Sequence, residues 1–408
     1  MITLFYSLGI FLYGLAILLA VPFNAKARLL WTGRRRVWND LRHYINNNRC
    51  IWIHAASLGE FEQGRPLIEA LRSQYPNRKI VLTFFSPSGF EVRKNYPLAD
   101  LVCYLPADSF FNARRFIRLL NPEMVFFVKY EFWYFYLTEL KRQNIPVYGV
   151  SVIFRPEQMF FKWYGGWFRK ILNSFTHFYL QDQVSADLLN SRGYTNYTVA
   201  GDTRFDRVAK IAASSGDDEL TQRFAKGARV IVAGSSWEPD EALLIDYINR
   251  APEDVKLILV PHEIGEEHIR QISKQVEVPY FLYKKAPFDP ENYRVMVVNT
   301  IGLLSSIYKY GQVAYIGGGF GKGIHNTLEA ATYGMPVLWG PNYHKFKEAR
   351  DLLSCGAGFV VTDQATLDTQ LDALLNNQDL CVQAGCKAKK YVAGMCGATD
   401  QIISDLFK

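Results

Sequence analysis

The sequence predicts an α/β protein of two doubly wound domains, and three observations favour this fold class. Short apolar runs rich in β-branched residues alternate with amphipathic stretches, which is typical of parallel strands covered by helices on both faces. The runs form two series on either side of a small, polar segment at 212–218. A length of 408 residues suffices for two such domains. We expect a ligand cleft between them, at the carboxyl ends of the strands.

The alternation predicts the strands and six consecutive parts of the chain. The first domain has predicted strands at 50–54, 79–85, 101–105, 124–129, 147–153 and 178–181, and the second at 229–234, 255–260, 280–283, 294–299, 312–316, 336–339 and 358–362. The parts are a membrane anchor at 1–24, a basic membrane-proximal segment at 25–49, an N-terminal Rossmann-like domain at 50–211, a linker at 212–227, a C-terminal Rossmann-like domain at 228–385, and C-terminal helices at 386–408 that could pack on the first domain.

The first residues predict a membrane anchor. No charged side chain occurs at 2–24, and seven arginines and lysines against one aspartate follow at 26–49. The apolar run is long enough to span a bilayer, and the charges that follow it place the rest of the chain in the cytoplasm. A helix that lies in the membrane interface is the competing interpretation. Either way, the basic block is expected to bind anionic lipid, and we predict no nucleic-acid partner.

The cysteines and acidic residues do not form a metal site or a disulfide framework. The six cysteines are scattered, no C-x-x-C pair occurs, and no Asp-x-Asp signature appears. We therefore predict a reducing compartment and catalysis that needs neither a metal nor a cofactor.

The stretch at 316–329, I-G-G-G-F-G-K-G-I-H-N-T-L-E, predicts a phosphate site. Five glycines between a strand and a short helix allow backbone N–H groups to approach an anion, and a helix start adds unpaired donors. The alternative is a plain strand–helix turn in which Asn326 caps the helix and Glu329 completes a capping box. Both roles remain open for Glu329.

Two glutamates at strand ends are candidate catalytic residues. Glu60 follows the first strand in H-A-A-S-L-G-E, where it is either a capping-box partner of Ser57 or a general base with a pKa raised by partial burial. Glu131 follows the fourth strand and is either a helix cap or a second acid that faces the cleft. His54, Ser57 and Gly59 lie beside Glu60 in the same motif and are further candidate site residues.

Further candidates for ligand binding lie at or near the strand ends of the second half. They are Arg204, Ser235, Ser236, His262, Gly319, Lys322, Gly323, His325, Asn326, Thr327 and Glu329. Small hydroxyl residues with free N–H groups suit a phosphate, whereas a histidine such as His325 could equally be a core or capping residue.

Three motifs together resemble one known family. H-A-A-S-L-G-E at 54–60, E-F-W at 131–133 and G-I-H-N-T-L-E-A-A at 323–331 are similar to the 3-deoxy-D-manno-octulosonic acid (Kdo) transferases of Gram-negative bacteria. The order of the motifs also matches, from the N-terminal membrane segment to P-V-L-W-G-P at 336–341. The resemblance covers essentially the whole chain.

The resemblance implies a metal-independent, inverting glycosyltransferase of the GT-B type at the cytoplasmic face of the bacterial inner membrane. Its donor would be CMP-Kdo and its acceptor the lipid A precursor, lipid IVA. In that family the glutamate that matches Glu60 is the base for the acceptor hydroxyl and the one that matches Glu131 is also required. The loop and helix that match 319–329 hold the nucleotide.

The chain departs from the usual family pattern at three places. Pro261-His262-Glu263 stands where P-R-H is usual, 151–156 differs from the usual N-A-R-L-S, and the glycine loop is about one residue shorter. Arg204 or Lys322 is therefore the candidate basic contact for the donor. Two alternatives stay open: a GT-B transferase with a UDP-sugar donor, and a non-catalytic, membrane-bound nucleotide-binding module.

Overall fold

The computed structural model describes residues 2–44 and 49–407. Contacts divide the chain into two compact units: unit 1 is Met1–Asp206 with Cys396–Lys408, and unit 2 is Arg207–Met395. Positions 45–48 of the predicted basic segment lie outside the described residues.

Unit 1 contains a parallel sheet of seven strands in the order β3-β2-β1-β4-β5-β6-β7. The strands are β1 (Cys50–Ala55), β2 (Lys79–Phe84), β3 (Leu101–Tyr104), β4 (Pro122–Val128), β5 (Val147–Val152), β6 (His177–Leu180) and β7 (Tyr197–Val199). Trp52 and Phe127 enter one core cluster and their neighbours Ile53 and Phe126 enter another. Both faces of the sheet are therefore buried, which explains why its strands read as continuous apolar runs.

Helices connect these strands and cover the sheet. They are α1 (Ile2–Ala20), α2 (Ala25–Tyr44), α3 (Leu58–Gln74), α4 (Pro87–Arg93), α5 (Phe110–Leu120), α6 (Tyr134–Arg142), α7 (Gly166–Leu172), α8 (Gln183–Asn190) and α9 (Thr203–Ser214), with α18 (Ala398–Leu406) from the end of the chain. Asp206 accepts hydrogen bonds from the backbone N–H groups of Gly397 (2.5 Å) and Thr399 (2.7 Å), so that α18 is tied to unit 1.

Helix α1 is apolar enough to cross a membrane by length and composition, with a mean hydropathy of 2.2, and none of its residues is fully buried. Its partly covered positions nevertheless recur at helical spacing, at Thr3, Tyr6, Ser7, Ile10, Gly14 and Ile17. Residues at this spacing form a single stripe along a helix. Leucine and phenylalanine side chains on the opposite side are exposed, among them Leu4 (76%), Phe11 (66%) and Leu19 (65%). One face of α1 therefore contacts protein along most of the helix.

Helix α2 carries the predicted basic block. Most of its basic side chains are exposed, at Lys26, Arg28, Arg35, Arg36 and Arg42. Val37 and Leu41, in contrast, are buried in the core. The helix is therefore amphipathic, with an apolar face on unit 1 and a cationic face in solvent.

Unit 2 contains a second parallel sheet, in the order β10-β11-β9-β8-β12-β13-β14. The strands are β8 (Arg229–Ser236), β9 (Val255–Pro261), β10 (Tyr280–Leu282), β11 (Val295–Val297), β12 (Val313–Ile316), β13 (Val337–Trp339) and β14 (Gly358–Val360). The helices are α10 (Glu219–Ala225), α11 (Glu238–Arg250), α12 (Glu266–Gln275), α13 (Leu304–Ile307), α14 (Leu328–Ala331), α15 (Lys347–Ser354), α16 (Gln364–Asn376) and α17 (Gln378–Gly394).

The structure confirms the fold class and corrects several boundaries. Strand β7 was not predicted, because three partly exposed residues give no apolar run. The boundary between the units lies inside α9, ahead of the linker predicted at 212–227, and most of that segment is helical in α9 and α10. The boundary predicted at 386 falls within α17, which belongs wholly to unit 2.

Candidate active site

The carboxyl ends of strands β1 and β4 bring a histidine, a glutamate and a tryptophan together in unit 1. His54 Nε2 lies 3.2 Å from Glu131 Oε2, and the indole Nε1–H of Trp133 donates to the same oxygen at 2.6 Å. His54 is fully buried and Glu131 is 8% exposed. Because β1 and β4 are adjacent parallel strands, residues at their ends necessarily lie side by side. The predicted His54 and Glu131 thus form one polar cluster.

The two ring nitrogens of His54 have different partners. The Trp52 indole N–H donates to Thr83 Oγ1 at 2.8 Å, and Thr83 Oγ1 lies 2.8 Å from His54 Nδ1. His54 Nε2 faces Glu131 Oε2 and also lies 3.3 Å from the indole Nε1 of Trp133. His54, Glu131 and Trp133 therefore belong to one hydrogen-bonding network.

Glu60 lies in the first turn of helix α3, where it forms the predicted capping box with Ser57. Its Oε2 accepts a hydrogen bond from the backbone N–H of Ser57 at 3.0 Å and a weaker one from the Ser57 hydroxyl at 3.3 Å. Burial raises the pKa of Glu60 and the negative charge of Glu131 raises it further, against the opposing effects of His54 and Lys129. A half-buried carboxylate with a raised pKa is suited to accept a proton. Gly59, beside it, is exposed.

An aromatic support for Glu131 was not predicted from the sequence. The Trp133 ring stacks on Phe85, with ring centroids 4.8 Å apart and an angle of 28° between the planes. Phe85 follows strand β2, about fifty positions earlier in the chain, so no local pattern could pair it with Trp133. The E-F-W motif did place Trp133 beside Glu131, but it did not reveal the indole hydrogen bond.

In unit 2 the glycine loop is held together by its own backbone and by a buried aspartate. The N–H of Gly318 donates to Asp240 Oδ2 at 2.8 Å, and the Tyr315 hydroxyl donates to Asp240 Oδ1 at 2.8 Å. Gly318 has a φ of +91°, which favours glycine. At Gly319 a Cβ would come within 2.5 Å of the backbone of Gly340. These two glycines are required by the path of the loop.

Several backbone N–H groups of the glycine loop already donate to protein acceptors, which reduces the number of amides that a phosphate could use. The amides of Gly317, Gly318, Gly321, Gly323 and His325 all donate to protein acceptors. Within residues 49–407 no protein acceptor is found for the amides of Gly319, Phe320, Lys322 and Ile324. A phosphate at the loop would therefore draw on amides of this set and on the exposed ammonium group of Lys322.

Glu329 begins the short helix that follows the loop. Its Oε1 accepts from the Asn326 side chain at 3.0 Å and its Oε2 from the Ser305 hydroxyl at 2.7 Å. Asn326 Oδ1 in turn accepts from the backbone N–H of Leu328. Helix α14 has only four residues, so its dipole is small and adds little to anion binding. The predicted capping box is not formed, because Glu329 accepts from the side chain and not from the backbone N–H of Asn326, and α14 begins after Thr327.

Three aromatic rings lie close together beside the glycine loop. The ring of His262 is 4.6 Å from those of Trp237 and His325, and the Trp237 indole N–H donates directly to His325 Nε2 at 3.0 Å. Burial lowers the pKa of His325, and His262 lowers it further. A cavity of about 480 Å³ is lined by Trp237, Pro239, Asp240, Gly318, Phe320, Gly321, Lys322, Gly323 and His325. The predicted Lys322, Gly323 and His325 thus line one pocket with Trp237, which was not predicted, and the predicted His262 packs beside it.

The remaining predicted donor residues lie elsewhere or point away. The Ser236 hydroxyl is buried and donates to Glu241 at 2.9 Å. Ser235 has a φ of +54° at the end of β8. Thr327 is fully buried before α14. Arg204 belongs to unit 1, where its guanidinium pairs with Asp202 at 2.8 Å.

Metal ligation has no support in the part of the chain that the structure describes. No group of three or more His, Cys, Asp or Glu side chains with metal-binding geometry occurs there.

Comparison with known proteins identifies relatives of the chain. The family model described as "3-Deoxy-D-manno-octulosonic-acid transferase (kdotransferase)" matches residues 30–207. Proteins named 3-deoxy-D-manno-octulosonic acid transferase align with most of the chain. The one from Aquifex aeolicus is 29% identical over 81% of this chain and 87% of its own length. The one from Haemophilus influenzae is 25% identical over 88% and 86%.

Solved structures share the fold at low sequence identity. UDP-GlcNAc 2-epimerase from Neisseria meningitidis, bound to UDP-GlcNAc, has a TM-score of 0.56 at 13% identity and covers 88% of this chain and 99% of its own. The enzyme of the same name from Methanocaldococcus jannaschii has a TM-score of 0.54 at 13% identity, over 84% and 98%. At this identity the likeness concerns the fold alone. The chain therefore has a GT-B-like fold, its residues 30–207 match the Kdo transferase family model, and most of its length is similar to proteins named as Kdo transferases.

Proposed function

We propose that this protein transfers Kdo from CMP-Kdo to a hydroxyl group of the lipid A precursor, lipid IVA, with inversion and without a metal ion. The observation that carries the proposal is the pairing of Glu60 and Glu131 at the ends of adjacent strands, in a chain whose relatives are Kdo transferases. Glycosyl transfer to a hydroxyl needs a base, and Glu60 is a half-buried carboxylate with a raised pKa.

In the proposed reaction Glu60 takes the proton of the acceptor hydroxyl. The hydroxyl oxygen forms a bond to the anomeric carbon of Kdo as the bond from that carbon to the phosphate oxygen breaks, and the bonding electrons leave with CMP. Glu131 is fixed by His54 and Trp133, and its negative charge raises the pKa of the base. Ser57 and Gly59, at the start of α3, are assigned to the side of the site that binds the acceptor.

The donor nucleotide is assigned to unit 2. Lys322 and the amides of Gly319, Phe320 and Lys322 are suited to the phosphate of CMP, whose negative charge grows as it leaves. The cavity beside His325 would accommodate part of the nucleotide. Glu329 and Asn326 are assigned to the ribose hydroxyls, which would join or replace the contact from Ser305.

Product analysis tests this function directly. Full-length protein with CMP-Kdo and lipid IVA is expected to release CMP and to yield lipid whose mass has increased by whole Kdo residues. An intact protein that releases no CMP contradicts the proposal. Competition between CMP and UDP separates a CMP-sugar donor from a UDP-sugar donor. Nucleotide binding without any change in the lipid would indicate a non-catalytic module.

We further propose that the protein is held at the cytoplasmic face of the bacterial inner membrane, with α1 in the interface instead of across the bilayer. The basic residues that follow α1 favour the cytoplasmic side. The contact stripe of α1 argues against a simple span, because Gly14 and Ile17 line a crevice with Arg34 and Arg35 of α2. Spanning in this arrangement would bring arginine side chains to bilayer depth, which is costly.

Cysteine labelling of Leu4→Cys distinguishes the two orientations. In spheroplasts of a Gram-negative host, a membrane-impermeant maleimide is expected to leave residue 4 unlabelled until the cells are permeabilised. Phe23→Cys, at the exposed turn after α1, is the matched control and should behave in the same way. Labelling of residue 4 but not residue 23 from outside would show that α1 spans the membrane.

A further inference from the structure

Helix α1 reaches the side chains that support Glu131. Tyr13 stacks on Phe85 with centroids 6.0 Å apart and an angle of 18° between the planes, and Phe85 stacks on Trp133 at 4.8 Å. Trp133 donates its indole N–H to Glu131 Oε2 at 2.6 Å. A continuous series of ring contacts therefore leads from the apolar helix to the carboxylate.

A cation strengthens this series at its middle. The guanidinium of Arg34 on α2 lies 4.7 Å from the ring centroid of Phe85 and 5.8 Å from that of Tyr13. Such cation–π contacts stabilise a ring in its position when the cation is shielded from solvent. The position of Phe85 thus depends on both α1 and α2.

A second contact joins α1 to the helix that follows Glu131 in the chain. The Tyr6 hydroxyl donates to Asp108 Oδ2 at 2.5 Å. The same carboxylate accepts the backbone N–H groups of Phe135 and Tyr136, both at 3.1 Å, and so caps the first turn of α6. The ring of Tyr6 also packs edge-on against Tyr134. The segment from Glu131 to the start of α6 is therefore bounded by α1 contacts at both ends.

We propose that Tyr13 and Tyr6 are positioning residues for Glu131, so that docking of α1 on unit 1 completes the acceptor side of the active site. Loss of the Tyr13 contact frees Phe85 and with it the ring of Trp133, whose hydrogen bond orients Glu131. Helix α1, which we propose holds the protein at the membrane, then also helps to position Glu131. This inference rests on the proposed role of Glu131 in Kdo transfer.

Steady-state kinetics of the full chain in bilayer nanodiscs test the inference. Tyr13→Ala is expected to lower kcat by about two- to tenfold, the effect of one aromatic pair on a rate. The KM for CMP-Kdo should stay the same, because the donor residues are in unit 2. Tyr13→Phe keeps the ring and should restore kcat. Leu12→Ala, on the exposed side of α1, is the matched control and should match the wild type.

Tyr6 is tested by removal of its hydroxyl alone. Tyr6→Phe keeps the ring packing but takes one of three hydrogen bonds from Asp108, so a smaller loss of kcat with an unchanged KM is expected. A wild-type kcat in both Tyr13→Ala and Tyr6→Phe overturns the inference. So does an equal loss of kcat in Leu12→Ala.

A measurement that needs no turnover separates this inference from the proposed function. The chain has 8 tryptophans, and in protein labelled with 5-fluorotryptophan the ¹⁹F resonance of Trp133 is the one missing from Trp133→Phe. Tyr13→Ala is expected to shift that resonance, and Leu12→Ala to leave it in place. An unmoved resonance contradicts the coupling whatever reaction the enzyme catalyses. A shifted resonance in a protein without Kdo transfer would refute the proposed function but leave the physical coupling intact.

Discussion

Glu60→Gln is expected to lower kcat by a factor on the order of 10² to 10⁴, the usual contribution of a general base. The amide is nearly isosteric with the carboxylate, and its oxygen can still accept the backbone N–H of Ser57. The start of α3 should therefore remain capped, and the loss should come from chemistry and not from folding. Kinetics with CMP-Kdo and lipid IVA, together with calorimetric titration of CMP, measure both quantities.

A matched control is available on the same helix. Glu69 pairs with Arg65 at 2.8 Å on α3, and Glu69→Gln should retain wild-type turnover. CMP affinity should be unchanged in both variants. A Glu60→Gln enzyme with wild-type kcat would show that another group is the base and that Glu60 only caps the helix.

Glu131→Gln is expected to move the acid limb of the kcat/KM profile to lower pH. Burial is the larger cause of the raised pKa of Glu60, and the charge of Glu131 is the next. Removing that negative charge lowers the pKa of Glu60, because ionisation is no longer opposed by a like charge. A base acts in its deprotonated form, so activity then persists to lower pH. An acid limb that stays in place or moves upward would contradict this coupling.

Glu131→Ala should be much more damaging than Glu131→Gln. The alanine removes the carboxylate oxygen that faces both His54 Nε2 and the Nε1–H of Trp133. Each buried polar group left without a partner costs about 1–3 kcal/mol, so the free energy of unfolding should fall by about 2–6 kcal/mol. Urea denaturation compares the two variants. Equal stability of Glu131→Ala and Glu131→Gln would show that the hydrogen bonds are not important for folding.

The sequence was sufficient for most of the fold. Buried parallel strands are apolar on both faces, and thirteen of the strands could be recognised for that reason. Strand β7 could not, since it lies at the sheet edge with only three partly exposed residues. The helical residues at 212–214 and 219–225 were read as a linker because they belong to a small, polar stretch without a long apolar run.

The parts of the candidate site that consist of residues close together in the sequence could be predicted. Strand ends followed by Glu60 and Glu131 indicated the acidic pair, and the glycine-rich stretch indicated the loop beside His325. The partners that hold these groups come from distant parts of the chain: Phe85 supports Trp133, and Asp240 holds Gly318. No spacing rule connects such residues.

By itself, the sequence determined the α/β class, the apolar first helix and the two glutamates at strand ends. These features depend on hydrophobic periodicity and on residues that are close together in the chain. Only the tertiary structure decided how those residues are used. It placed Glu60 close enough to Glu131 for one charge to raise the pKa of the other, and it paired five of the amides at 317–325 with protein acceptors. It also laid one face of α1 against the residues that hold Glu131. Electrostatic coupling and packing depend on distances in space, which residues far apart in the chain acquire only on folding.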